Sequence, residues 1–64
     1  MSRNVIKRTP KERCEYFMRI ARQFKRESEY HLAKDSANKG LNIASKHNLE
    51  EYRQAFQKFL GELK

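Results

Sequence analysis

From residue 10 onward, apolar residues recur every three or four positions, the spacing of one face of an α-helix. Thr9-Pro10-Lys11-Glu12 opens the first such stretch. Thr9 is a capping residue, Pro10 suits the first helical turn, and Glu12 stands where a capping box needs a carboxylate. Cys14, Phe17, Ala21 and Phe24 follow at spacings of 3, 4 and 3, flanked by Ile20, while Arg19, Arg22 and Arg26 fall on the opposite face with Glu15. The pattern predicts a helix over 10–26, preceded by a basic flexible arm over 1–9.

The stripe then slips. Tyr30, Ala33, Ala37, Gly40/Leu41 and Ala44 form a second helical face, but Phe24 and Tyr30 are six residues apart, one short of continuing the first. One residue rotates a helical face by about 100°. The polar run Lys25-Arg26-Glu27-Ser28-Glu29 covers the slip, and Ser28 offers an N-cap for a helix over about 29–46. With no Gly or Pro to enforce a break, one long helix over 10–46 with a short antiparallel partner is the alternative. Asn48-Leu49-Glu50-Glu51 starts the last helix, about 49–62, with Asn48 read as its cap and Glu51 at the box position. Leu49, Tyr52, Phe56, Phe59 and Leu63 repeat at 3, 4, 3 and 4, and Gly61 marks fraying near the end. His47 lies at the C-terminal end of the second helix, where positive charge is favourable.

The faces differ in size. The outer helices carry Phe17, Phe24, Tyr52, Phe56 and Phe59; the middle helix carries Ala33, Ala37, Gly40 and Ala44. Large knobs over a groove of small residues bring three helices close together. This accounts for Gly40 inside a helix, where Gly costs about 1 kcal/mol relative to Ala. The expected fold is all-α, a small three-helix domain over 10–64.

Composition narrows the function. The 64 residues are 38% hydrophobic and 36% charged, with two Gly and one Pro, too few breakers for a β-sandwich. No apolar run is long enough for a transmembrane helix, and the basic start is followed by no apolar segment of the secretory kind. The lone Cys14 has no partner for an internal disulfide, and a cytoplasmic location is the expectation. A chain this size reaches about 3–10 kcal/mol of stability, so support from a partner or self-association into a homo-oligomer is expected, and a water-excluded catalytic pocket is not. Charge is polarised as well. Residues 1–26 hold nine basic and two acidic side chains, whereas 27–64 hold six of each, so the whole net charge of +7 lies in the first two-fifths. Such asymmetry favours an acidic partner, either nucleic acid or an acidic protein surface.

Catalytic chemistry is hard to find. His31, His47 and Cys14 lack metal-ligand spacing and read as two surface histidines and a half-buried cysteine. Gly40 and Gly61 stand alone, which rules out a phosphate-binding glycine loop, and Glu50-Glu51 fits a helix start better than acid–base work. No enzyme activity, cofactor or metal is expected. For nucleic acid, Arg3, Lys7, Arg8, Arg19, Arg22 and Arg26 are the candidates for non-specific backbone contact. The Ala-rich second helix lacks the polar cluster of a base-reading helix. A membrane-surface role is set aside, because Glu12 and Glu15 interrupt the polar face of the first helix.

Tyr16-Phe17, Ala21, the polar turn ending at Tyr30, then Ala33, Ala37, Gly40 and Ala44, with Asn48, Tyr52 and Phe59 in matching spacing, resemble the ANR family, the AraC negative regulators of enteric and related bacteria. The resemblance runs from Tyr16 to Leu60. Where the family has Gly in the first turn this chain has Ser28; where it has Trp in the middle and last helices it has Ala37 and Tyr52; Leu60 replaces a Cys. The resemblance implies a small cytoplasmic helical protein that binds an AraC-type transcriptional activator, or a nucleoid protein, and blocks it without catalysis. The expected contact surface is Arg19, Arg22 and Arg26 with Tyr16 at its edge, since arginine beside aromatic edges is favoured at interfaces.

Overall fold

The computed structural model describes residues 8–63, in which three helices follow one another: α1 (Pro10–Arg26), α2 (Tyr30–Lys46) and α3 (Glu50–Glu62). The protein is an all-α three-helix domain. The continuous-helix alternative is overturned by the break at 27–29, and the arm residues 1–7 lie outside the described part. The start of α1 is a complete capping box. The Glu12 amide donates to Thr9 Oγ1 at 3.2 Å and the Thr9 amide donates to Glu12 Oε1 at 3.0 Å, with Pro10 in the first turn.

The two turns are built alike, and neither uses the cap expected for it. At the end of α1 the Ser28 amide donates to the Lys25 carbonyl (3.0 Å) and the Glu29 amide to the Phe24 carbonyl (2.8 Å). At the end of α2 the Asn48 amide donates to Ser45 (3.4 Å) and the Leu49 amide to Ala44 (2.8 Å). Both are Schellman closures, which satisfy the last carbonyls of a helix by placing one residue in the left-handed region. Ser28 (φ 63) and Asn48 (φ 57) are those residues. They terminate the preceding helix and do not cap the next. The N-caps are Glu29 and Leu49, neither with a side-chain cap bond, and Glu51 therefore has no capping box to complete. Glu50 instead pairs with Arg53 one turn on, which holds its carboxyl below the usual range.

A non-glycine residue in the left-handed region costs about 1–2 kcal/mol, less for Asn, whose side chain bonds locally. Ser28→Gly is therefore expected to stabilise the domain by about 0.5–1 kcal/mol, net of the extra freedom that Gly gives the unfolded chain. The gain at Asn48→Gly is smaller. Urea denaturation of the two variants tests the ordering; a loss of stability at Ser28→Gly would remove the strain assigned to that turn.

α2 is the centre of the fold. Ala33, Ser36, Ala37, Gly40 and Ala44 are its buried residues, and α1 and α3 both pack against it. Tyr30, expected on this face, is instead 52% exposed, and Ser36 is buried in the stripe. Cys14 is fully buried rather than half-buried, along with Ala21 of α1 and Phe56 of α3. The three helices meet at Gly40. The Cys14 thiol donates to its carbonyl at 3.6 Å, and Phe56 lies so close that a Cβ built on Gly40 would sit 2.6 Å from Cε1 and Cε2 of the ring. Two other large residues, Phe17 and Phe24, are partly buried against the same core. The result is a slab of 43 × 26 × 12 Å, in which α1 and α3 flank α2 and touch each other only lightly.

Candidate functional site: a basic groove between two parallel helices

Two polar ties cross from α1 to α3. The Tyr52 hydroxyl donates to Glu15 Oε2 at 2.7 Å, and Lys25 Nζ meets Glu62 Oε1 at 3.4 Å. Each joins residues 37 positions apart, so the two helices run parallel in a single register. Ten residues separate the ties along α1, about 15 Å at helical rise.

Between and around these ties lies a shallow groove. Its first hollow, about 340 Å³, is lined by Glu15, Met18, Arg19, Arg22, Arg26 and Tyr52. A second continues past Met18 and Arg22 to Ala55, Lys58 and Phe59, and a third ends at Lys25, Tyr30 and Glu62. Arg22 borders all three. Beside the first hollow, Glu12, Glu15 and Arg19 line another that also holds Arg8 and Tyr16. There the Arg8 guanidinium stands 5.4 Å from the Tyr16 ring, which packs edge-on against Phe17.

The expected contact residues thus come together. Arg19, Arg22 and Arg26 share the first hollow, and Tyr16, 44% exposed, adjoins it through Arg19. Arg8 extends the patch; Arg3 and Lys7 lie outside the described residues. Among the described residues, none of Arg19, Arg22 and Arg26 has a carboxylate within 4.0 Å. The two carboxylates on the groove are already engaged, Glu15 by Tyr52 and Glu62 by Lys25.

The α3 wall escaped the sequence reading. Tyr52 and Phe59 carry core spacing, yet Tyr52 is only partly buried and its hydroxyl reaches out to Glu15. Ala55 has no chemical signature at all. Only the sequence pairing of polar Glu15 with a half-buried tyrosine hints at the tie, and 37 intervening residues hide it.

The Glu15 carboxylate, accepting the phenol proton's hydrogen bond, pushes the Tyr52 pKa up to about 12, with burial adding to the effect. A raised pKa in the folded state contributes stability that is fully present below the unfolded value, about 10. That contribution is lost as pH rises from there through about 12. The phenolate absorbance missing from Tyr52→Phe is expected to titrate near the upper end of this window. A component titrating at the ordinary tyrosine value would mean that the tie to Glu15 does not form in solution.

His31 and His47 are both exposed, and among the described residues no group of three His, Cys, Asp or Glu side chains gathers to hold a metal. No helix among them is long and apolar enough to cross a membrane. The fold and its groove define a small all-α domain with one basic face. No protein-family model, curated protein or solved structure matches the chain.

Proposed function

We propose that this is a small cytoplasmic regulatory protein that binds an AraC-type transcriptional activator, or a related DNA-binding or nucleoid protein, and inhibits it by protein–protein contact without catalysis. The observation that carries the reading is the row Arg19, Arg22 and Arg26, without acidic partners among the described residues, on the rim of a groove whose other wall is Tyr52, Ala55 and Phe59. Guanidinium groups beside apolar and aromatic surface are the makings of a protein-binding hot spot. The resemblance of Tyr16–Leu60 to the AraC negative regulators supplies the class of partner.

Direct, non-specific nucleic-acid binding is the second reading, favoured by the concentration of the whole +7 net charge in residues 1–26. Capture of partners from the native host's lysate, with and without nuclease, tests both. A nuclease-resistant transcription factor in the eluate is the expected result. Recovery that vanishes on nuclease treatment would assign the arginines to phosphate.

A further inference from the structure

We infer that the α1/α3 groove takes an acidic amphipathic helix, with its apolar stripe on Met18 and Ala55 and its carboxylates beneath Arg19, Arg22 and Arg26. This deepens the proposed reading of the protein as a protein-binding regulator and rests on it.

The groove has the shape for such an occupant. Parallel α1 and α3 are tied at Glu15–Tyr52 and at Lys25–Glu62, and between the ties the walls offer small or pliable side chains, Ala55 and Met18. Methionine adapts its shape to a partner at little cost. A helix laid in a groove presents its anchors at i, i+3, i+4 and i+7. The arginines have that period themselves, at spacings of 3 and 4 over two helical turns, so carboxylates of the same period on the occupant come opposite them.

Charge completes the match. The rim arginines lack carboxylate partners among the described residues, and Lys58 adds positive charge on the α3 side. Arginine is also the side chain that holds a carboxylate by two parallel hydrogen bonds.

The same surface suits single-stranded nucleic acid poorly. Base stacking needs an open aromatic face. Phe59 is 6% exposed with Lys25 Nζ 5.7 Å from its ring, and the Tyr52 hydroxyl is held by Glu15. A second copy of the chain does not supply the occupant either, because its carboxylates at 12, 15, 27, 29, 35, 50, 51 and 62 nowhere form an i, i+3, i+7 row; the pair at 12 and 15 is followed by Arg19.

The test uses the full chain, isotope-labelled, and two synthetic peptides of about 18 residues, the length that spans α1. One carries Glu at i, i+3 and i+7 with Leu on the adjoining stripe. The other shuffles the same residues so that no stripe forms. The striped peptide is expected to bind with a Kd of about 1–100 μM, shifting the resonances of Met18, Arg22, Tyr52, Ala55 and Phe59. Ala55→Trp, which fills the groove, and Arg22→Gln, which removes the shared charge, are each expected to weaken it about tenfold. Ala55 and Arg22 are both exposed, so the fold survives either change, and the amide spectrum of each variant verifies it.

Absence of shifts, shifts elsewhere, equal affinity for the shuffled peptide, or displacement of the striped peptide by an equimolar oligonucleotide would each overturn the groove assignment. The lysate capture separates this from the wider reading. An activator captured undiminished by Ala55→Trp leaves the regulator standing and the groove refuted. Striped-peptide binding without any captured activator does the reverse.

Discussion

Gly40→Ala is expected to unfold much of this protein at temperatures where the parent is folded, although the substitution improves helix propensity by about 1 kcal/mol. A Cβ on Gly40 enters the Phe56 ring, whose Cε1 and Cε2 would lie 2.6 Å away. Phe56 has no room to retreat, because it is fully buried. On the opposite side Cys14 is buried as well and holds the Gly40 carbonyl, so α2 cannot roll away without breaking that contact. Overpacking of a tight core costs about 1–3 kcal/mol and sometimes more. Here the clash is with ring atoms wedged at a three-helix crossing, so the net loss is set at about 2–3 kcal/mol after the propensity gain. Against a total of about 3–10 kcal/mol this is a large fraction. At about 4–8 °C per kcal/mol the melting temperature drops by roughly 10–20 °C.

The partner substitution identifies the cause. Phe56→Leu alone opens a cavity and costs about 1–3 kcal/mol. Combined with Gly40→Ala, the two losses are expected to fall short of additivity by about 1–2 kcal/mol, since the smaller side chain makes room for the methyl group. Thermal unfolding of the four proteins in the cycle measures this. Strict additivity, or a Gly40→Ala protein as stable as the parent, would mean that the helices do not meet at Gly40.

That crossing was largely legible in the sequence, and the reason is periodicity. Ala33, Ala37, Gly40 and Ala44 mark a narrow face, and Phe56 and Phe59 mark the bulk that fills it. The capping box at Thr9 was legible too, because both of its hydrogen bonds join residues three apart. The turns were located but their chemistry was not. A Schellman closure uses backbone amides and carbonyls, and with Ser28 and Asn48 in place of Gly no side chain announces it.

The groove shows the same limit at longer range. Arg19, Arg22 and Arg26 stand out by charge and spacing on a single helix. Their opposite wall depends on the parallel register of α1 and α3, fixed by ties such as Glu15–Tyr52 that span 37 residues. Helical period places a residue on a face; it does not say which face of another helix will lie beside it.

Reversing charge on the groove's rim is expected to weaken partner binding strongly while leaving the fold intact. Arg22 borders every hollow along the groove, and Arg19 joins the groove to the Tyr16 hollow, so Arg19→Glu with Arg22→Glu places two negative charges at its centre. Each replaces an attraction to the partner's carboxylates with a repulsion. Together they are expected to cost about 2–4 kcal/mol, a thirtyfold to thousandfold loss of affinity. Both residues are exposed and without ion-pair partners among the described residues, so stability should stay within about 0.5 kcal/mol of the parent. The double change also lowers a net charge of +7, which eases rather than strains the folded state.

Salt dependence then separates the kinds of partner. Nucleic acid releases counterions for every phosphate contacted, so its affinity falls with a steep logarithmic slope that shrinks by nearly one for each arginine removed. A protein groove filled by an amphipathic helix keeps its apolar contribution at high salt, and only the charged part is screened. Titration calorimetry of the captured partner, with parent and variant at low and high salt, reads both quantities together. A shallow slope with a large loss on charge reversal is the expected pattern. A steep slope would place phosphate on the rim, and an unchanged affinity would take Arg19 and Arg22 out of the interface.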